Sequence, residues 1–460
     1  MEKVDESKHK KPIAVGIDER KDNSKVEVGV GEKGAKRYET RKVENCAVVF
    51  WPDGEYVGHF QATSGTGLGL AKDLMNFFVE RETNLENLCA ILSDGCSKMT
   101  GWKSGTLSKV EESLGHELQR LICFLHHAEL PFGKIFAFYD GPTTGPESFK
   151  GPLGQLMTDE VWKRPIVDFR PLENPTLLSA IQNLPEEVFK TFNKDHQYLV
   201  KVLEAVLSGS ISKQWKDMKV GAIVHSRWTN TQSSALRLYI SIEEPSFELQ
   251  RIVHFIVFVY APVFLAAKHF NKAEEGPKLL LQEINAVKLH CTEEEADVAK
   301  SSIQQNGFYA HHENVLFTLL SSEASSDREY AVNVIEEIRS KKAKKNNQKK
   351  KKVRTFKVPE INFNATSLYD LTTSSLSSAE SEPPVTLKMT DKELKEIIEK
   401  PLCLNLPCST VAVERGVKIT SAATKVSSNP VLQDGYSFMT KSAINKNNIA
   451  QRNTKKFNVD

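Results

Sequence analysis

Five short apolar runs separated by helical patterns are packed into the first 130 residues, and a chain that opens this way is constrained toward an α/β sheet. The runs are PIAVGID (12 to 18), CAVVFW (46 to 51), YVGHFQ (56 to 61), LCAILSD (88 to 94) and LQRLICFLH (118 to 126), each at strand length. After the third lies GLGLAKDLMNFFVERE (67 to 82), whose Leu70, Leu74, Phe77 and Phe78 recur at helical spacing and share one face. SGTLSKVEESLG (104 to 115) supplies a second helix before the last run. The implied order is three strands, a helix, a strand, a helix and a strand. Strands joined by short turns pair antiparallel, whereas strands joined through helices return parallel.

Beyond about residue 130 the texture changes. A punctuated stretch, DGPTTGPESFKGP, gives way to long helical patterns such as EEVFKTFNKDHQYLVKVLEAVLS and SFELQRIVHFIVFVYAPVFLAAKHF, and strand signals nearly vanish until the 350s. The longest apolar run, Ile252 to Ala267, contains His254, Tyr260 and Pro262. It is shorter than the roughly 20 residues of a membrane-spanning helix and reads as a buried one, so no membrane partner is expected. A lysine run, KKAKKNNQKKKKVR, and a serine-rich stretch mark exposed or flexible segments near 341–384. The expected organisation is a first core segment at 1–135, a mainly helical insertion at 136–400, and a return to the core at 401–460. Three antiparallel strands followed by strands reached through helical crossovers match a ribonuclease-H-like core, so the expected class is α/β, with that core interrupted by a large all-α insertion domain.

Bulk properties exclude several functions. With a net charge of +2 over 460 residues, any affinity for nucleic acid must come from local patches. The opening MEKVDESKHKKP lacks the apolar core of a secretory signal. Cys46, Cys89, Cys96, Cys123, Cys291, Cys403 and Cys408 are scattered and form no CxxC pair, which reads as neither a disulfide framework nor a zinc finger and fits a reducing, intracellular compartment.

Two runs end in an aspartate, Asp18 in AVGIDERKD and Asp94 in AILSDGCSKMTG. Strand ends are where α/β sheets assemble their sites, and two carboxylates brought together there repel unless a divalent cation lies between them. Hard oxygen ligands select Mg2+ or Mn2+, and a third carboxylate from a helix crossing the sheet would complete a two-ion site suited to phosphodiester cleavage and strand transfer. Strand-end aspartates also serve as caps and turn residues.

The stretch SDGCSKMTGWKSGTLSKVEESLGHELQRLICFLHHAELPFGKIFAFYDGPTTGPESFKGPLG resembles the second-aspartate block of hAT-type transposases, in which a DG turn and a GWKGG-like loop precede a helix, a CxxH strand and DGxTxGP. GIDERKD resembles that family's first-aspartate strand, HSRWTNTQSSALRLYIS (225 to 241) its RW block, IQQNGFYAHHENVLFTLL and FKVPEINFNATSLYDL later blocks, and PCSTVAVERGVKITSAAT its terminal AVER block. The resemblance covers nearly the whole chain. It implies that Asp18 and Asp94 are metal-binding aspartates and that Glu414 of AVER is the third carboxylate, 320 positions after Asp94 (414 − 94). Cys123 and His126 match the CxxH, as structural residues near the site. Trp228, beside Arg227, matches the RW block, whose aromatic would stack on a flipped base. The departures are GIDERKD for FDGRKD, SKMTG for NTG, and PCSTVAVERG for CHTQAVERC. No zinc-coordinating finger pattern precedes the first strand.

Each assignment has a plainer alternative. Glu414 alternatively pairs with Arg415 or Lys418 on an exposed helix face. Trp228 alternatively anchors packing, and Cys123 and His126 lack a second ligand pair at zinc spacing. SGTGLGLAKD matches neither phosphate-loop pattern and reads as a helix N-terminus. Lys349, Lys350, Lys351 and Lys352 suit DNA phosphates, nuclear import or a solvated loop. The resemblance therefore implies a nuclear, otherwise cytoplasmic, protein with DNA as partner and Mg2+ or Mn2+ as cofactor, forming homo-oligomers as related transposases do. It either cleaves and transfers DNA strands or keeps the fold as an inactive DNA- or protein-binding scaffold.

Overall fold

The structure, a computed structural model, describes residues 11–30, 36–142, 149–158, 160–221, 228–345, 356–371, 389–429, 432–433 and 435–437. The chain divides into two compact units, one made of residues 1–123, 319–357 and 379–460 and the other of 124–318 and 358–378.

The first unit holds one mixed sheet. Its strands are β1 (Ala14–Val30), β2 (Lys36–Trp51), β3 (Glu55–Gln61), β4 (Ala90–Ser93) and β5 (Gln119–Ile122), in the spatial order β3-β2-β1-β4-β5. The first three pair antiparallel, while β4 runs parallel to β1 and β5 parallel to β4. The crossovers are α1 (Gly67–Glu80) and α2 (Thr106–Leu114). Helix α1 starts at Thr66, whose side chain accepts from the Gly69 N–H, and it buries Leu70, Leu74, Phe77 and Phe78, the face read from the spacing. The glycines at its start serve close packing: a Cβ on Gly67 would lie 2.4 Å from the Ser104 carbonyl oxygen and 2.7 Å from that of Lys98.

Strand β5 is shorter than LQRLICFLH suggests. The Cys123 N–H makes the last ladder-like bond, 2.9 Å to the Ser93 carbonyl, and Phe124 already begins the helix Phe124–Asp140. Within β5, Arg120 is fully buried and donates to Glu111 at 2.5 Å and to Ser108 at 3.1 Å, with its guanidinium 4.5 Å from the centre of the Phe356 ring. Glu111→Gln leaves this cation buried without its counter-ion, so a loss of about 3 kcal/mol is expected in urea unfolding. A loss below about 1 kcal/mol would show that the pair is not a structural requirement.

Three further helices complete the unit: α3 (Ser325–Lys345), α4 (Asp391–Glu399) and α5 (Val411–Val426). Arg328 of α3 donates to the carbonyls of Ile397 and Ile398 at the end of α4, and the Leu402 N–H bonds the Leu320 carbonyl at 3.0 Å. These contacts move the boundaries. Of the stretch expected to be insertion through residue 400, residues 319–357 and 379–400 group with the sheet-bearing unit, and there α3 satisfies the end carbonyls of α4. Likewise the insertion starts at 124 instead of 136, because His127 of the helix after β5 bonds Glu283 at 2.8 Å and the Asn306 carbonyl at 3.0 Å, both in the helical unit.

The second unit is built from helices, and the described residues after Ile122 form no strand. The 186–208 pattern splits at Asn193, whose side chain caps the helix Lys194–Ser208 by accepting from the His196 N–H at 2.8 Å. The apolar run around Ile252 is part of a longer helix, Phe247–Phe270, with a π-helical stretch at Ile256–Tyr260. Its 24 residues are long and apolar enough to cross a membrane by length and composition, though 67% of that apolar window is buried against its own unit. Segment 356–371 yields no strand either: Gln304 clamps it by donating to the Pro359 carbonyl and accepting from the Ile361 N–H.

Candidate functional site

Parallel pairing sets the site. Gly16 of β1 stands opposite Leu92 of β4, and two residues further along each strand direction come Asp18 and Asp94. Both aspartates thus lie just past this ladder, Asp18 within β1 and Asp94 immediately after β4, strands that run about 4.8 Å apart. Backbone N–H groups orient both: Glu19 donates to Asp18 Oδ1 at 2.8 Å and Cys96 to Asp94 Oδ1 at 3.2 Å.

The third carboxylate arrives on α5, which lies across β1, β2 and β3. A Cβ on Gly16 would come within 2.6 Å of the Trp51 ring and 2.7 Å of Val413 Cγ2, and one on Gly416 within 2.9 Å of Tyr56 Cδ2. Helix and sheet therefore meet glycine to side chain on both surfaces. Further along, Thr420 Oγ1 is 3.0 Å from the Tyr56 hydroxyl. The helix start is held by Cys123: the Thr410 N–H and hydroxyl approach its sulfur at 3.4 and 3.2 Å. Glu414 sits in the first turn, next to Val413. Gly16→Ala is expected to cost about 2 kcal/mol through overpacking and to shift α5. Thermal unfolding would check this, and an unchanged midpoint would mean that the Trp51–Val413 contact yields freely.

Electrostatics join the three groups. Asp18 is pushed up from 3.8 to about 7, first by burial, then by the negative charge of Asp94 and next by that of Glu414, against the lowering effect of the Glu19 N–H. Burial and then Asp94 also drive the Cys96 thiol up to about 12. Among the described residues Glu414 forms no ion pair with Arg415 or Lys418, and no lysine or arginine pairs with Asp18 or Asp94. The nearby cation, Lys98, is engaged elsewhere, bonding Glu19 at 2.6 Å and Glu44 at 3.3 Å. Three hard oxygen donors that repel one another without a basic partner are a donor set that suits a hard divalent cation.

Sequence reading missed Lys98, Glu19 and Glu44. The signal available was the alternation in β1, which sends Glu19 to the face opposite Asp18. It also missed a cluster in the helical unit, where one ligand atom each from His311, His312 and Glu313 lies within 4.8 Å of the others. Cys123 is buried and its sulfur serves the Thr410 contact, whereas His126 belongs to the helical unit. Trp228 also lies in the helical unit, its indole against Gly133 and its ring centre 5.8 Å from that of Phe132 and 6.2 Å from that of Phe136, so the ring is engaged in packing. Arg227, Lys349, Lys350, Lys351 and Lys352 lie outside the described residues. No family model and no curated protein matches the chain.

Proposed function

We propose that the first unit is a ribonuclease-H-like core of hAT-transposase descent that cleaves and transfers DNA strands, with Asp18, Asp94 and Glu414 holding Mg2+ or Mn2+. The observation that carries this reading is the effect on Asp18: Asp94 and Glu414 both raise it, and none of the three has a basic partner among the described residues. The strand order, with the two aspartates on its central strand and the next, and the resemblance of the GIDERKD, SDG and AVER segments support it. When bound, the ions supply Lewis acidity for phosphodiester chemistry. The protein's share is positional: backbone N–H groups fix one oxygen of each aspartate, and the Cys123–Thr410 contact with the Gly16–Val413 approach sets where Glu414 enters. The proposed partner is DNA, the proposed compartment the nucleus, and self-association is proposed by analogy with related transposases.

A second reading, a non-cleaving DNA- or protein-binding scaffold, is favoured by Met99. It is buried at 1% exposure in SKMTG, where the family pattern has the asparagine of NTG. Incubating the protein with supercoiled plasmid, in Mn2+ or Mg2+ against EDTA, separates the two. Metal-dependent nicking or joining supports the enzyme; binding of DNA with no product in either metal removes it in favour of the scaffold.

A further inference from the structure

Strands β1 and β2 run far past their neighbours. The β4 ladder on β1 ends at Gly16 and the β3 ladder on β2 ends at Asn45, with one further bond from the Ala62 N–H to the Glu44 carbonyl, so residues 19–30 and 36–43 pair with each other as a two-stranded ribbon. On one face the ribbon is buried as far as Asp22 and Ser24, where Asn45 donates to the Ser24 hydroxyl at 3.0 Å. The other face is open: Lys21, Asn23, Lys25 and Glu27 are exposed, as are Tyr38, Thr40 and Lys42 across from them. The register places Asn23 opposite Lys42 and Lys25 opposite Thr40, so Lys21, Lys25 and Lys42 share this face.

The charges on the ribbon do not balance. Asp22 pairs with Arg20, Glu27 with Lys36, Glu39 with Arg41, and Glu19 and Glu44 both with Lys98. Among the described residues every ribbon acid thus has a basic partner, while Lys21, Lys25, Arg37 and Lys42 are left over. Exposed edge strands resist aggregation with charge of either sign, so that need does not explain a surplus of one sign. The whole chain carries a net charge of only +2, so this surplus is local.

We infer that the open face of the β1–β2 ribbon is a docking surface for duplex DNA, seated through Lys21, Lys25 and Lys42 on its phosphates. The inference deepens the proposed function and rests on its reading of DNA as partner. Two strands about 4.8 Å apart fit a major groove about 12 Å wide. Lys21 and Lys25, four residues apart on one strand, stand roughly 14 Å apart, a span that reaches more than one phosphate. Asn23 adds a hydrogen-bonding group between Lys21 and Lys25, and Tyr38, 49% exposed and across from Glu27, a stacking group beyond Lys25. Lys21 and Lys25 share the parity of Glu19, so duplex seated on them lies on the face of β1 opposite the one Asp18 takes.

The test is fluorescence anisotropy of the full chain with a labelled duplex of about 30 base pairs, three helical turns, in EDTA over a salt series. The triple variant Lys21→Ala, Lys25→Ala, Lys42→Ala is expected to lose about tenfold or more in affinity at low salt, and its salt slope to fall by about 0.9 per lost contact. An equal charge change on α4 and its end, Lys392→Ala, Lys395→Ala, Lys400→Ala, is expected to leave both unchanged. Unaltered binding by the ribbon variant overturns the proposal, and so does a wild type that binds only single strands or no DNA. Duplex binding through these lysines with no cleavage in Mn2+ removes the cleavage reading alone. Normal cleavage with unaltered binding by the ribbon variant removes the docking surface alone.

Discussion

Asp94→Asn is expected to lower metal-dependent DNA cleavage by about a thousandfold or more. The change keeps the shape of the side chain and the acceptor that holds the Cys96 N–H, so the turn after β4 stands. What disappears is one of three anionic oxygen donors. Charge stabilisation by a bound ion contributes several kcal/mol in the transition state, and each 1.4 kcal/mol is a factor of ten in rate, so weakened or lost ion binding carries an effect on the order of 10³. Glu414→Gln is expected to behave alike, because Glu414 acts on the same cluster. Duplex binding in EDTA is expected to hold or improve, since a negative charge has gone. Single-turnover nicking in Mn2+ is the measurement, and an Asp94→Asn protein that cuts within tenfold of wild type removes the residue from the chemistry.

Asp18 carries the second large effect, seen in stability as a function of pH. Its folded value is raised to about 7 from 3.8, so the unfolded chain releases this proton at lower pH than the folded one. The group therefore favours the fold fully below about pH 3.8, and that contribution is lost as pH rises toward 7. At 1.36 kcal/mol per unit the loss is about 4 kcal/mol between the acid limit and pH 8 in metal-free protein. Asp18→Asn removes this pH dependence, so its stability relative to wild type is expected to climb by about that amount from pH 4 to pH 8 in urea unfolding. Added Mn2+ is expected to stabilise wild type at pH 8, where the carboxylate is ionised, and to do little at pH 5 or in the variant. A variant that tracks wild type across the whole range shows that Asp18 is not held against its neighbours.

The parts of the fold that were legible in the sequence are those set by local patterning. Leu70, Leu74, Phe77 and Phe78 had to lie on one helical face, and the spacing of strands and helices implied the mixed sheet that forms. Other parts depend on contacts that no local pattern encodes. The apolar run continues unbroken through Ile122, Cys123 and Phe124, and nothing in it shows that the strand ends at Ile122 and a helix begins at Phe124. Residues 319–345 group with the sheet-bearing unit and, through Arg328, hold carbonyls 70 positions away, contacts that no local pattern shows. Lys349 to Lys352 stood out because a charge run is conspicuous in one dimension. Lys21, Lys25 and Lys42 did not, because three lysines become one surface only once the hairpin register is known. At the site, Asp94 follows the end of β4 as its pattern implied, whereas Asp18, expected at a strand end, lies inside β1, which runs on to Val30, and Glu414 came from resemblance alone.

Cys123 and Thr410 touch although 287 residues separate them, and this has a consequence for synthesis. By the time β5 is made, the sheet face around Gly16, Ala47 and Val49 has no cover, since its lid is α5. At about 5 to 20 residues per second, a ribosome takes roughly 15 to 60 s to reach that helix. Through this interval a nascent chain holds an apolar sheet face open and keeps two aspartates side by side without the element that completes their cluster. The helical unit can fold in the meantime, but the sheet must wait in a half-finished, adhesive state. Yield in the cell is therefore expected to depend on chaperones that bind β-rich nascent chains, and to fall when translation is slowed between β5 and α5.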